Sequence, residues 1–277
     1  MLYFYKNEFI KKEELRISPD DRGYYFGDGI YEVFRVYNGQ IYEQEGHMQR
    51  LQRSASEVRI ALPYKLEDIE SILTKLVHEN RLIEGTIYLQ ITRGEAPRAH
   101  PFPTEAHPIL LAYCNEVKRP IATIRSGISA IALEDIRWLR CDLKTLNLLP
   151  NVMAKQAAID HGVQEVVLHR NGIATECSAS NLMMIKNNVL YTHPANNLIL
   201  HGITRAVVLR IAKALQVEVH EEAFTLEQLL QADEAFITGT TVEITPIIQF
   251  DGKPIGAGEP GQLTLKLQEE FERTFAI

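Results

Sequence analysis

Cys141–Asp142–Leu143–Lys144–Thr145–Leu146–Asn147 is the stretch from which the rest of the chain is best read. A lysine stands between leucines there, with Ile128, Ala130, Ala132 and Leu133 before it and Leu148 and Leu149 after it. Lysine is rarely buried without a partner. An amine drawn out of water loses part of its preference for the charged form and can then attack a carbonyl. Taken alone, the same stretch also reads as a surface loop whose lysine stem covers the leucines. What decides between the two is the company Lys144 keeps.

Composition narrows that company. The chain has 277 residues, enough for one large domain or two ordinary ones, and its 45% apolar and 23% charged residues describe a soluble globular protein. A formal charge of −7 argues against nucleic acid as a partner, since phosphate backbones call for a basic face. The three cysteines form no CxxC pair, and the nine histidines show no HxxxH spacing, so no metal site is expected. No apolar run reaches the roughly 18 residues of a membrane span, and the first ten residues lack the apolar core of a signal peptide. A cytoplasmic protein, away from membranes, is the expectation.

Along the chain, Leu2–Tyr5 and Glu8–Ile10 flank the polar turn Lys6–Asn7 and predict a hairpin. Asp21 to Tyr37 carries three glycines in seven residues and then the alternation Ile30, Val33, Val36, a strand ended by Asn38–Gly39. These glycines precede the strand, whereas a dinucleotide fingerprint follows one and opens a helix. Helices are predicted at 47–60, with Arg50 on the side opposite its apolar face, and at 66–82. Strands are predicted at 86–92 and 109–114, joined by a proline-stiffened loop that carries Arg98 and His100. Strands followed by helices and more strands give an α+β first domain over 1–117. A polar linker at 118–121 then leads to a second domain over 122–277. In that second half, strands are predicted at 128–136, 165–169, 181–185 and 189–192, and helices at 151–161, 202–215 and near the C-terminus.

Two stretches there suit an anion. Gly202–Ile203–Thr204–Arg205 opens a helix, where free backbone N–H groups and a partial positive charge gather, although Thr204 would equally cap its own helix. Thr238–Gly239–Thr240–Thr241 can form a nest of hydroxyl and amide donors, or simply a polar turn between strands. Glu176, among small residues after a hairpin turn, offers a carboxylate for a heterocyclic nitrogen, or lies on a solvated loop. A phosphate-bearing cofactor beside a reactive lysine accounts for all of them together.

The order of Asp28–Gly29–Ile30–Tyr31–Glu32–Val33, Thr92–Arg93–Gly94, Lys144–Thr145–Leu146–Asn147, Glu176–Cys177–Ser178–Ala179–Ser180–Asn181, Gly202–Ile203–Thr204–Arg205 and Glu243–Ile244–Thr245–Pro246 resembles that of the class IV aminotransferases, the fold-type IV pyridoxal-phosphate enzymes. The resemblance covers essentially the whole chain. It is strongest to the members that act on D-amino acids, through Pro97–Arg98–Ala99–His100 and Asp135–Ile136–Arg137–Trp138 among other runs. It implies an α+β, two-domain fold with a smaller N-terminal domain, a larger mixed α/β C-terminal domain and pyridoxal 5'-phosphate in the cleft between them. It further implies a homodimer that transaminates D-alanine, D-glutamate or D-aspartate with 2-oxo acids by ping-pong half-reactions.

By the same resemblance Lys144 forms the internal aldimine and shuttles the Cα proton. Glu176 partners the ring nitrogen, Leu200 supports the ring, and Arg50, Ile203, Thr204 and Thr240 hold the phosphate. Tyr31 and Val33 line the substrate pocket, where Tyr31 takes the α-carboxylate together with Arg98 and His100 from the neighbouring subunit. Arg35, where D-specific members carry lysine, and Ala179 and Gly239, where hydroxyl residues are expected, depart from that pattern. The other members of the family, branched-chain L-aminotransferases and aminodeoxychorismate lyases, are the enzymatic alternatives. A binding protein for a phosphorylated ligand is the non-enzymatic one.

Overall fold

In the computed structural model, which describes residues 1–276, the chain forms two compact units. Met1–Lys118 and Leu143–Leu148 make the first, and Arg119–Asp142 with the chain from Leu149 onward makes the second. Helix and strand are mixed in both, giving the α+β class expected.

The first unit is built on an antiparallel six-stranded sheet in the order β2-β1-β6-β5-β3-β4. Its strands are β1 (Leu2–Tyr5), β2 (Glu8–Lys11), β3 (Gly29–Tyr37), β4 (Gln40–Ile41), β5 (Gly85–Thr92) and β6 (Ile109–Glu116). β3 turns into β4 through Asn38 and Gly39, whose positive φ values of 50° and 75° suit a two-residue hairpin. Side chains alternate across β3. Ile30, Phe34 and Val36 join a buried cluster with Met48, Leu51 and Ala55 of α2 (Gln44–Glu57) and with Ile69, Leu73 and Leu76 of α3 (Leu66–Glu79). Tyr31, Val33 and Arg35 lie on the other face, where Tyr31, Tyr88, Tyr113 and Tyr3 make a ladder of ring contacts across four strands.

A short helix, α1 (Arg22–Phe26), precedes β3, capped by Asp21 through the amide of Gly23. The sequence pattern does not predict it, because its glycine and aromatics read as a turn. Arg50 also differs from expectation. It is buried, not on a solvated side of α2, and the reason is an acidic partner described below.

The second unit carries a mixed nine-stranded sheet in the order β12-β11-β10-β13-β14-β7-β8-β9, with β15 paired to β14. The strands are β7 (Ile128–Glu134), β8 (Glu165–Arg170), β9 (Ile173–Cys177), β10 (Asn181–Lys186), β11 (Val189–Thr192), β12 (Val219–His220), β13 (Glu234–Gly239), β14 (Glu243–Phe250) and β15 (Lys253–Pro254). Parallel pairing joins β14 to β7 and β7 to β8. The helices are α4 (Ile121–Ser126), α5 (Leu149–Asp160), α6 (Ile203–Ala214), α7 (Leu226–Leu230) and α8 (Gln262–Arg273). The sequence pattern does not show β9, which puts Glu176 on a buried strand and not on a solvated loop. Among the described residues, no helix is long and apolar enough to cross a membrane.

Candidate active site

In the first unit, the stretch 143–148 lies along the edge of β3. The Tyr31 amide donates to the Lys144 carbonyl at 3.0 Å, and the Leu146 amide donates to the Gly29 carbonyl at 3.0 Å. Gly29 is needed for this approach, since a Cβ there would stand 2.7 Å from the Leu146 side chain. Asn147 closes the segment by donating to the Gly27 carbonyl at 3.0 Å. Lys144 is half-buried between buried Leu143 and Thr145, with its Nζ 4.1 Å from the centre of the Tyr31 ring. A cation over a tyrosine face is held by the ring quadrupole. Lys144 thus sits in an irregular stretch, half-buried, held by backbone pairing with β3 and by the Tyr31 ring.

Arg50 stands on α2, and its Nε and Nη2 donate to the two oxygens of Glu32, each at 2.8 Å. The carboxylate can only accept, so the Nδ1 of His47, 2.7 Å from Glu32 Oε2, carries the proton. Glu32 is fully buried. Burial alone would raise its pKa, but the Arg50 charge and hydrogen bonds, with help from His47, bring it down to about 2. Burial also lowers the affinity of His47 for a second proton, more than Glu32 raises it. The cation predicted to hold phosphate is thus pre-oriented by a bidentate carboxylate. Sequence reasoning misses Glu32 and His47. The available signals are a charged residue on the inward register of β3 and the i, i+3 spacing of His47 and Arg50.

Tyr31 and Val33 are half-buried on the open face of β3, whereas Arg98 and His100 are exposed on the loop after β5. Arg98 and His100 both approach the Phe26 ring, at 5.2 Å and 5.5 Å.

The second unit gathers the remaining predicted residues. Glu176 is buried on β9, and Oε2 accepts from the Leu200 amide at 3.0 Å and from Asn181 Nδ2 at 2.9 Å. Oε1 accepts from Arg137, which also grips Asp135 through Nε and Nη2. Burial pushes the Glu176 carboxyl above its ordinary value, and Arg137 only partly offsets this. Asn181 also donates to the Leu200 carbonyl at 2.8 Å. It lies so near Gly202 that a Cβ there would collide with its Oδ1. Gly202 is the N-cap of α6 and offers no side-chain cap, so Thr204 does not cap its own helix. Ile203 and Thr204 thus open α6 with amides left without an intrahelical acceptor, and no acidic residue stands in that first turn.

Thr240 is half-buried on the turn between β13 and β14. Pairing of Thr238 with Asn181 and the approach of Gly239 to Ser180 bring that turn beside the start of β10. Asn181 therefore joins Glu176, Leu200 and the α6 N-terminus. Arg137 and Asn181 stand in the sequence motifs without assigned roles; the Asp135–Ile136–Arg137 spacing is the signal for the first.

The donors fit a phosphorylated pyridine. A carboxylate accepts at about four lone-pair sites, and three of those on Glu176 are taken, which leaves one for a ring N–H. The uncapped start of α6 suits a phosphate. Among the described residues no group of three or more His, Cys, Asp or Glu side chains gathers in a way that suits a metal ion.

Comparison with known proteins points the same way. A D-alanine aminotransferase of Staphylococcus aureus (strain N315) is 46% identical over 271 residues, 98% of this chain and 96% of that protein. Among solved structures, the branched-chain amino acid aminotransferase of Escherichia coli superposes with a TM-score of 0.93 at 25% identity, over 99% of this chain and 94% of that one. The T.th. branched-chain amino acid aminotransferase with pyridoxamine 5'-phosphate superposes at 0.90 and 28% identity, over 99% and 93%. The profile of the family described as Amino-transferase class IV matches residues 29–250, and with these likenesses the chain belongs to that family.

Proposed function

We propose that the protein is a pyridoxal-phosphate-dependent aminotransferase that moves the amino group of D-amino acids, D-alanine, D-glutamate and D-aspartate foremost, to 2-oxo acids. The observation that carries this is the Asn181 junction, where a buried Glu176 with one acceptor site left adjoins an uncapped helix start. The likeness to D-alanine aminotransferase, 46% against 25–28% for the two branched-chain enzymes, supports D-amino acids as the substrates.

Lys144, Arg50, Glu176, Leu200, Ile203, Thr204 and Thr240 would hold the cofactor. When bound, the cofactor supplies a carbonyl for the substrate amine and a ring that draws electrons from Cα. Glu176 holds a proton at the ring nitrogen. A carboxyl whose burial favours the protonated form is suited to sharing one there. Arg50, held in orientation by Glu32, and the amides of Ile203 and Thr204 take the phosphate. Lys144 Nζ, working from one side, would take the proton from Cα of the amino donor and, in the second half-reaction, deliver a proton to the Cα formed from the 2-oxo acid.

Tyr31, Arg98 and His100 fix the substrate α-carboxylate, and Val33 borders its side chain. Anchoring the carboxylate on one side determines which enantiomer turns its Cα–H toward Lys144.

The same proposal has the enzyme acting as a homodimer in the cytoplasm. Exposed apolar side chains at Ile136, Leu139, Leu149 and Val152 support self-association. So do Arg98 and His100, exposed as they would be if they served a neighbouring subunit. Three buried cysteines, all free, agree with a reducing compartment.

The test is a half-reaction. Purified enzyme is mixed with D- or L-alanine and the cofactor absorbance is followed. Bleaching by D-alanine and not by L-alanine is expected. If only L-branched substrates bleach it, the assignment of Arg98 and His100 is wrong.

A further inference from the structure

Arg98 and His100 are exposed, and free side chains lose binding energy to their own ordering when they grip a ligand. The structure provides a device against that loss. Phe26, the last residue of α1, has the Arg98 guanidinium carbon 5.2 Å from its ring centre. The His100 ring lies 5.5 Å from it, tilted by 40°. The Arg22 guanidinium is 4.8 Å from the same ring. All three groups are within reach of one aromatic quadrupole.

The backbone between the two exposed donors is fastened as well. Arg22, itself buried, donates to the Ala99 carbonyl at 2.6 Å and to the His100 carbonyl at 3.4 Å, while its Nε grips Asp28 at 2.8 Å. Asp28 also takes Nε and Nη2 of Arg93, at 2.8 and 3.0 Å. The Arg93 guanidinium lies 3.6 Å from the centre of the Phe102 ring. The loop is therefore held on both sides of its two donors, with Phe26 beneath them.

We propose that Phe26 is a positioning residue for carboxylate recognition, its ring keeping Arg98 and His100 side by side while Arg22 fastens the loop backbone between them; this rests on Arg98 and His100 being the α-carboxylate donors. Phe26 acts on binding and not on proton transfer, so its loss raises KM and leaves kcat in place.

The test is steady-state kinetics of the holoenzyme with D-alanine and a 2-oxo acid, with propionate as a competitive carboxylate probe. Phe26→Leu and Phe26→Met, each confirmed folded by its thermal midpoint, should raise KM and the propionate inhibition constant about five- to tenfold, with kcat within about twofold. Phe26→Tyr, which keeps the ring, should stay within about twofold of the parent. In an Arg98→Ala/His100→Ala background, Phe26→Leu should change KM by less than about twofold, because it acts through those side chains. An unchanged KM in the parent background, or an equal rise in the double-alanine background, overturns the positioning role and leaves the donor assignment standing. If Arg98→Ala/His100→Ala alone leaves KM and propionate binding untouched, the donor assignment itself fails, and the role of Phe26 with it.

Discussion

Glu32 on β3 and Glu176 on β9 are both buried and both held by an arginine, yet they treat a proton in opposite ways. Glu32 receives the two-pronged grip of Arg50 and a third donor in His47, and its pKa falls to about 2. Glu176 receives Arg137 at one oxygen only, and that arginine is shared with Asp135, whose charge adds to the rise. Burial then prevails and the Glu176 carboxyl moves up. Each carboxyl has three donors, so equal burial gives opposite chemistry through charge: Arg50 meets both oxygens of Glu32, whereas Arg137 meets one oxygen of Glu176 and is shared with Asp135. The first carboxylate orients a cation; the second is ready to share a proton.

The comparison is sharpened by removing each part in turn. Lys144→Ala, the shared reference for both sides, should cost about 10⁴-fold in single-turnover rate with little change in folding. Glu32→Gln leaves Arg50 buried against a neutral partner, and chemical unfolding at pH 7 should show a loss of about 3–5 kcal/mol. Glu176→Gln should do the reverse. It should lower kcat by about 10²-fold while costing less folding stability than Glu32→Gln. If Glu176→Gln destabilises as much as Glu32→Gln, the contrast between the two carboxyls is lost.

Acid should reveal the difference without mutation of the catalytic groups. The Glu32 pKa lies below its ordinary 4.5 in the fold, so its stabilisation is full above about pH 4.5 and drains away as pH falls toward about 2. The stability gap between the parent and Glu32→Gln should therefore close over that window. Glu176 runs the other way: its raised pKa weakens the fold at neutral pH, and that penalty fades on acidification. The smallest effect is expected at Gly202→Ala, where the new Cβ displaces Asn181 from Glu176 and weakens pyridoxal phosphate binding roughly fivefold.

What is legible in the sequence follows from range. The β1–β2 hairpin, the β3–β4 turn at Asn38–Gly39 and the amphipathic α2, α3, α6 and α8 are written in local periodicity and turn residues. Periodicity puts Arg50 on the wrong side because a pattern of apolar residues cannot register a buried ion pair; Glu32, 18 residues earlier, makes the inward position favourable. β9 escapes because its five residues carry Thr175 and Glu176 inward, where both find donors and acceptors from distant segments. The place of Lys144 along β3 is likewise a pairing across more than a hundred residues, beyond any local signal. Its proposed role as the reactive lysine rests on the motifs around it and on the family resemblance, not on the seven residues alone.

The most direct measurement is reduction of the holoenzyme with borohydride followed by mass mapping of its peptides. One cofactor mass fixed to the peptide that carries Lys144 is the expected result. An unlabelled chain, or a label on another lysine, contradicts the account.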